Sequence, residues 1–388
     1  MFKISYKMTR ILNPVSFWKS VITGPSFIST WRTTTSSETV TLPYEAAGTY
    51  SGTIDWGDGG PTSLNSYANR AHVYAVAGDY VITVTGVTTG FRFANTGDKT
   101  KIRSIQSWGT LRLRNMIFGN YFWGCSNLNL SSVSDTLDLT GITNMFSMFY
   151  GCDSLTSVNN INSWSTSAIT STSFMFSGCS NFNQPLSFNT GAVEDMSAMF
   201  NNCHAFNGTI TFNTISVQNM QSMFSNCHAF NQPLSFNTGA VKNMSSMFNN
   251  CHAFNSVLTF TSTAIVEDMR FMFNGCTAFN QNISSFNTGA VTNMQGMFQS
   301  APAFQQNIGS WNVANVLNFA GFMVTKTPAT WPTTYFNNLL CGWSSQIVQP
   351  GLTITFGTAN YTNATGGPCY TILDTAPNNW TIYSGGGV

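Results

Sequence analysis

Seven cysteines divide the chain at nearly constant steps. Cys125, Cys152, Cys179, Cys203, Cys227, Cys251 and Cys276 follow one another at 27, 27, 24, 24, 24 and 25 residues. Ala301 and Lys326 continue the series at two further steps of 25. From Cys152 to Cys276 each cysteine is preceded by a Met-Phe pair, as in Met199-Phe200, Met223-Phe224 and Met247-Phe248. Three residues after it stands a large apolar residue: Leu128, Leu155, Phe182, Phe206, Phe230, Phe254, Phe279 and, after Ala301, Phe304. A period this regular implies one structural unit per repeat, each burying its apolar face against its neighbours.

Two spacings describe the unit. Leu186-Ser187-Phe188, Ile210-Thr211-Phe212, Leu234-Ser235-Phe236 and Leu258-Thr259-Phe260 alternate apolar and polar residues, which predicts a strand with Ser or Thr outward. Val193, Met196, Met199, Phe200, Cys203 and Phe206 recur every three or four residues, which predicts a helical or 3₁₀ segment. The Asn-Thr-Gly-Ala between them, at 189–192, 237–240 and 287–290, is turn chemistry. The expectation is a mainly β solenoid of about nine coils of 24–27 residues, with a continuous parallel sheet along one side. At a strand spacing of about 4.8 Å it would be a rod on the order of 45 Å long.

Composition narrows what such a rod can do. Charged residues make up 7% of the 388, against about 25% in an ordinary soluble domain. Hydrophobic residues at 43% argue against disorder, and a net charge of +1 argues against nucleic-acid binding. No run of roughly 18 apolar residues suggests a membrane span. Residues 1–114 hold 12 Lys/Arg against 6 Asp/Glu, whereas the remainder holds 3 against 8. The basic excess is concentrated in residues 1–26, where Lys3, Lys7, Arg10 and Lys19, with Phe17 and Trp18, form a candidate anchoring arm. Ile11 to Ile22 is too interrupted by polar residues for the apolar core of a secretory signal, which suggests assembly from the cytoplasm or an export signal lying elsewhere.

The pattern Val-x-Asn-Met-x-x-Met-Phe-x-x-Cys-x-x-Phe-Asn-Gln-x-Leu-Ser-x-Phe-Asn-Thr resembles the BspA-like leucine-rich repeat of bacterial surface proteins, in the Met-Phe-rich form of mycoplasma surface proteins. Ser310-Trp311-Asn312 matches the family's Trp register. The resemblance covers roughly residues 102–345 and implies a right-handed solenoid used for adhesion and recognition, without catalysis. Upstream, Thr53-Ile54-Asp55-Trp56-Gly57-Asp58-Gly59, His72-Val73-Tyr74 and Tyr80 to Gly86 resemble a PKD domain, a small immunoglobulin-like β-sandwich. At about 60 residues it is short for seven strands, so it either lacks strands or leans on the first coil. The organisation read from these features is an arm at 1–26, a PKD-like sandwich at 27–90, the solenoid at 91–326 and a C-terminal cap at 327–388.

Chemistry-bearing candidates are few. Asp55 and Asp58 sit in a Gly-rich turn that suggests turn structure more than a calcium loop. His204, His228 and His252 form a row on successive coils, which reads as a solvated row rather than a metal site. Glu194-Asp195 and Glu267-Asp268 lie on turns of different coils, and no phosphate-loop, zinc-protease or nucleophile-elbow motif occurs. No catalytic, cofactor or metal residue is assigned. The cysteine ladder reads as core packing, whereas Cys341 and Cys369 lie off it and are candidates for one disulfide. The outward row Ser187, Thr211, Ser235 and Thr259, with the histidine row, is the candidate recognition face, though a merely solvated sheet is the commoner occupant of such positions. The expected function is a non-enzymatic virion decoration or fibre protein, with protein partners in a capsid or surface assembly and a host glycan or surface protein as ligand. A secreted or surface-anchored bacterial adhesin is the alternative, and a polysaccharide-active enzyme a more distant one. Virion or extracellular surface is the expected location.

Overall fold

The alternation in Phe27–Thr33 points Phe27, Ser29, Trp31 and Thr33 inward and makes this segment the strand around which the N-terminal unit is built. The computed structural model describes residues 25–388; the candidate arm residues Lys3, Lys7, Arg10, Phe17, Trp18 and Lys19 lie outside them. In chain order the first strands are β1 (Phe27–Thr33), β2 (Glu38–Thr41), β3 (Thr53–Asp55), β4 (Ser63–Leu64), β5 (Ala71–Tyr74), β6 (Gly78–Val84), β7 (Thr88–Thr89), β8 (Ile102–Ser107) and β9 (Leu111–Arg112). Five of them form an antiparallel sheet in the order β4-β3-β6-β1-β8, and β2 pairs with β5. The sheet extends past residue 90, because β8 is its edge strand. The other edge of β8 meets the next repeat through a parallel bridge from Ser104 to Asn129. Phe91 packs on Phe27 at 5.3 Å and Phe93 on Trp31 at 5.9 Å, so one core runs through the boundary at residue 90.

Successive repeats stack in parallel register. Bridges run from Asn144 to Ser171, Asp195, Asn219, Asn243, Asp268, Asn293 and Asn318 in turn. The chain is mainly β with few helices, but the Met-Phe segment is not the helical or 3₁₀ segment expected. The amides of Met196, Ala198, Phe200 and Asn202 donate to the carbonyls of Asn219, Gln221, Met223 and Ser225 one coil on, at 2.8–3.0 Å. Those of Met199, Asn201 and Cys203 donate three residues back, at 3.3, 3.1 and 3.0 Å. Alternate amides thus close a turn or join the neighbour. The turns need left-handed residues, supplied in this coil by Ala198 (φ 51°) and Asn202 (φ 60°) and in the next by Ser222 (φ 55°) and Asn226 (φ 60°). A chain of such turns returns an apolar side chain every three or four residues, which is the spacing that suggested a helix.

The expected strand side is also shorter than expected. Among the described residues only β10 (Leu234–Phe236) and β11 (Leu258–Phe260) pair as parallel strands on this side, with single bridges between Leu130 and Val158 and between Leu186 and Ile210. Pro185 and Pro233 stand immediately before this segment and lack the amide a ladder needs. The continuous inter-coil ladder therefore runs along the Met-Phe turns.

At the C-terminus α1 (Thr333–Ser344), β12 (Thr353–Thr355), β13 (Asn360–Tyr361), α2 (Gly366–Asp374), β14 (Thr381–Tyr383) and β15 (Gly386–Gly387) follow. β12 pairs with β14 and β13 with β15, both parallel, and Ile354 bridges back to Phe319. The terminal segment thus extends the stack with two larger, helix-bearing turns. Trp343 of α1 closes over Phe319 and Phe322, with ring centroids 5.2 and 5.9 Å apart. Cys341 and Cys369 are disulfide-bonded and join α1 to α2.

Candidate functional site

Stacking sets each side chain above its equivalents, and the interior exploits this with neutral ladders. Phe176, Phe200, Phe224, Phe248, Phe273 and Phe298 stack at 5.6–5.8 Å. From Cys152 to Cys276 each thiol donates to the phenylalanine carbonyl of the preceding coil, as in Cys203 to Phe176 at 3.0 Å, Cys227 to Phe200 at 3.0 Å and Cys251 to Phe224 at 2.9 Å. Cysteine is thus a small core residue that also satisfies a carbonyl. Burial pushes the thiols of Cys125, Cys152, Cys203, Cys227, Cys251 and Cys276 up from their ordinary value, so none is poised as a thiolate nucleophile. Buried Thr190, Thr214 and Thr288 donate to Asn213, Asn237 and Asn312 of the next coil at 2.9, 2.9 and 2.8 Å. Asn207, Asn231 and Asn255 pass a side-chain oxygen to the following coil's backbone at 2.8–2.9 Å.

Lys326 stands at the cysteine position two steps beyond Cys276, where the series ends. It is 1% exposed, and its Nζ donates to the carbonyls of Ala301, Pro302 and Phe304 at 2.7, 3.3 and 2.6 Å. Three carbonyls match the three protons of an ammonium. Burial pulls this amine down to about 7.

Outside, Ser187, Thr211, Ser235 and Thr259 are all exposed, on equivalent positions of successive coils. Ser235 and Thr259 are direct partners in the β10–β11 register. His204, His228 and His252 are exposed and stack face to face, at 4.6 and 4.8 Å with interplanar angles of 6° and 12°. Burial, then the neighbouring His204 and His252, pull the His228 imidazole below its ordinary value. Rings stacked this way hold their nitrogens in parallel rather than converging on a point. Among the described residues no group of three or more His, Cys, Asp or Glu is placed to hold a metal ion.

The remaining acids serve local structure. Asp55 accepts from the amide of Gly57 at 2.9 Å and Asp58 from that of Gly60 at 3.1 Å, while Asp58 also pairs with His72 at 2.7 Å. Asp195 and Asp268 accept the amides of Ser197 and Arg270, two residues on, at 2.9 and 3.0 Å. Among the described residues no helix is long and apolar enough to cross a membrane.

One surface escaped the sequence reading. Trp123, Phe146, Tyr150 and Phe174 are half-buried on the outer side of the Met-Phe turns, beside Phe118, which is 61% exposed. The signal was present, since in the coils that end at Cys203, Cys227 and Cys251 these positions hold Ser, Ala, Asn or Gln, but repeat arguments weigh what recurs and not what departs.

A family profile described as "Mycoplasma protein of unknown function, DUF285" matches residues 89–210, 186–264 and 257–361. The chain has no significant match among curated proteins or among solved structures. Three tandem matches together span about seven-tenths of the chain and cover the stacked repeats, so this protein belongs to the DUF285 family of mycoplasma-type repeats.

Proposed function

We propose that this chain is a non-enzymatic structural protein that displays its repeat array on an outer surface, for attachment to a protein assembly on one side and a host glycan or surface protein on the other. We read the array as a right-handed, leucine-rich-repeat-like solenoid of the BspA type, and the N-terminal unit as a PKD-like spacer. The antiparallel sheet order and the parallel bridges between repeats support this reading. The observation that carries the functional reading is the neutral face repeated in register, with Ser187, Thr211, Ser235 and Thr259 exposed on consecutive coils. Such a face suits extended contact, whereas Asp195 and Asp268 accept backbone amides of their own turns.

Two carriers compete. On a virion the chain would be a decoration or fibre protein; on a cell it would be a bacterial adhesin. The family description and the Cys341–Cys369 disulfide, a bond at home in oxidising surroundings, favour the cell surface. Mass spectrometry of purified particles against a cell-surface fraction decides between them. Recovery in the soluble cytoplasmic fraction alone would overturn both.

A further inference from the structure

We propose that the outer side of the first repeats carries a binding site for a neutral saccharide, with Phe174 at its centre. The inference deepens the attachment reading and rests on it for its biological purpose. The positions two, five and six residues before each cysteine lie on the side of the Met-Phe turns away from the phenylalanine ladder, some half-buried and some, such as Ala198 and Ser225, covered by their neighbours. In the central coils they hold small or amide side chains, such as Ser197, Ala198 and Asn201, or Gln221, Ser222 and Ser225. In the first coils the same positions hold Trp123, Phe146, Tyr150 and Phe174.

These rings form a connected platform. Phe118 meets Phe146 at 5.8 Å, Phe146 meets Phe174 at 5.6 Å, Phe174 meets Tyr150 at 6.3 Å and Tyr150 meets Trp123 at 5.6 Å. Ile117, 83% exposed, extends its apolar edge. Isolated exposed apolar residues need no explanation, but a contiguous aromatic patch does. Phe174 stands in a column that is left-handed throughout and is otherwise held by Asn120, Ser147, Ala198, Ser222, Ser246, Phe271 and Gly296.

A groove of about 200 Å³ leads from Tyr150 and Phe174 to Ser197, Asn201 and Gln221, and no charged side chain lines it. Ring faces offer the apolar contact that the C–H face of a pyranose needs, and the amides and hydroxyls beside them match its hydroxyl groups. A nucleic acid or an anionic membrane would need basic residues here. The occupant that fits is an uncharged sugar chain, lying across coils from the rings toward the amides.

The test titrates the full chain with maltoheptaose, cellohexaose, chitohexaose and mannohexaose, with heparin and phosphatidylcholine vesicles as alternatives. At least one neutral oligosaccharide should bind in the millimolar range or tighter. Phe174→Ser, which installs the residue found at 147 and 222, should weaken that binding by about tenfold or more without lowering the melting temperature. Phe271→Ser, at the equivalent position of a later coil where the ring lies over Gly296, should bind as the unmodified chain does. No binding to any of the four sugars, unchanged binding by Phe174→Ser, or binding only to heparin or vesicles would overturn the site. If the sugars fail while the chain is recovered from the particle or surface fraction, the groove assignment falls and the display reading stands. If the sugars bind but the chain is in neither fraction, the reverse holds.

Discussion

The N-terminal antiparallel unit and the repeat array share one core but are held together by opposite means. In the antiparallel unit and its junction with the first coils charges pair across the fold: Arg32 with Asp79 at 2.6 Å, Arg92 with Glu45 at 2.9 Å, and Lys101 with Glu38 and Asp98 at 3.0 and 2.9 Å. Beyond residue 138 the described residues show one ion pair, Arg270 with Asp268. The difference follows from geometry. Antiparallel pairing places unlike residues opposite one another, so opposite charges can meet. A stack places each residue on its own equivalent, roughly 5 Å away, and a charge would face its own kind. Neutral Phe, Cys, Thr and Asn ladders escape that penalty, which gives the 7% charge content a structural reason.

Alkaline pH should separate the two regions most widely. The buried thiols have folded-state values raised above the unfolded value of about 8.5, so their stabilisation is complete below that pH and is lost as pH rises beyond it. Each contributes a slope of up to about 1.4 kcal/mol per pH unit. The N-terminal antiparallel unit has no cysteine; its buried and half-buried tyrosines, raised by desolvation, Tyr50 to about 12, begin to act only above about pH 10. Hydrogen exchange should show the array opening between about pH 9 and 10 while β1, β3 and β6 stay protected. Simultaneous opening would break the comparison.

Phe224→Ala comes next. Its ring is fully buried between Phe200 and Phe248, so its loss should cost about 3–5 kcal/mol in denaturant melts. Exchange should rise in the neighbouring coils and not in the N-terminal antiparallel sheet. Charge gives a smaller effect. Ser187, Thr211, Ser235 or Thr259 changed singly to Lys should shift stability by no more than about 0.5 kcal/mol. All four together should lose roughly 0.3–1 kcal/mol more per neighbouring pair at low salt and regain it at high salt. Additive, salt-independent losses would contradict the ladder argument. The smallest effect is at the histidines. His228 is lowered, so its contribution is present above about pH 6.5 and is lost as pH falls, by a few tenths of a kcal/mol once solvent screening is counted. His228→Asn should remove that dependence.

Much of this was legible in the sequence. The period located the ladders, the alternation in Leu234–Phe236 located a strand, and the outward Ser and Thr rows lie where the alternation put them. What misled was the spacing from Val193 to Phe206. Turns with a bond three residues back and a helix of the same period space apolar side chains alike, and only the left-handed residues tell them apart. Asn202, Asn226, Asn250 and Gly275, each immediately before its cysteine, were that signal. β8 was hidden because its partners lie on both sides of a boundary drawn by motif. Lys326 was opaque because its partners are backbone carbonyls, which carry no sequence signature.

Excising one period tests most directly whether the coils are interchangeable units stacked in register. Removing residues 218–241, one 24-residue step, joins Val217 to Lys242 and restores Val-x-Asn-Met across the junction. The shortened chain should fold, melt cooperatively and keep the protected amides of both ends. Removing residues 218–229, half a step, should unfold the array, because the phenylalanine and cysteine ladders would then meet out of phase. If the full-period deletion is as damaging as the half-period one, the repeats are not equivalent coils and the stacked array is contradicted.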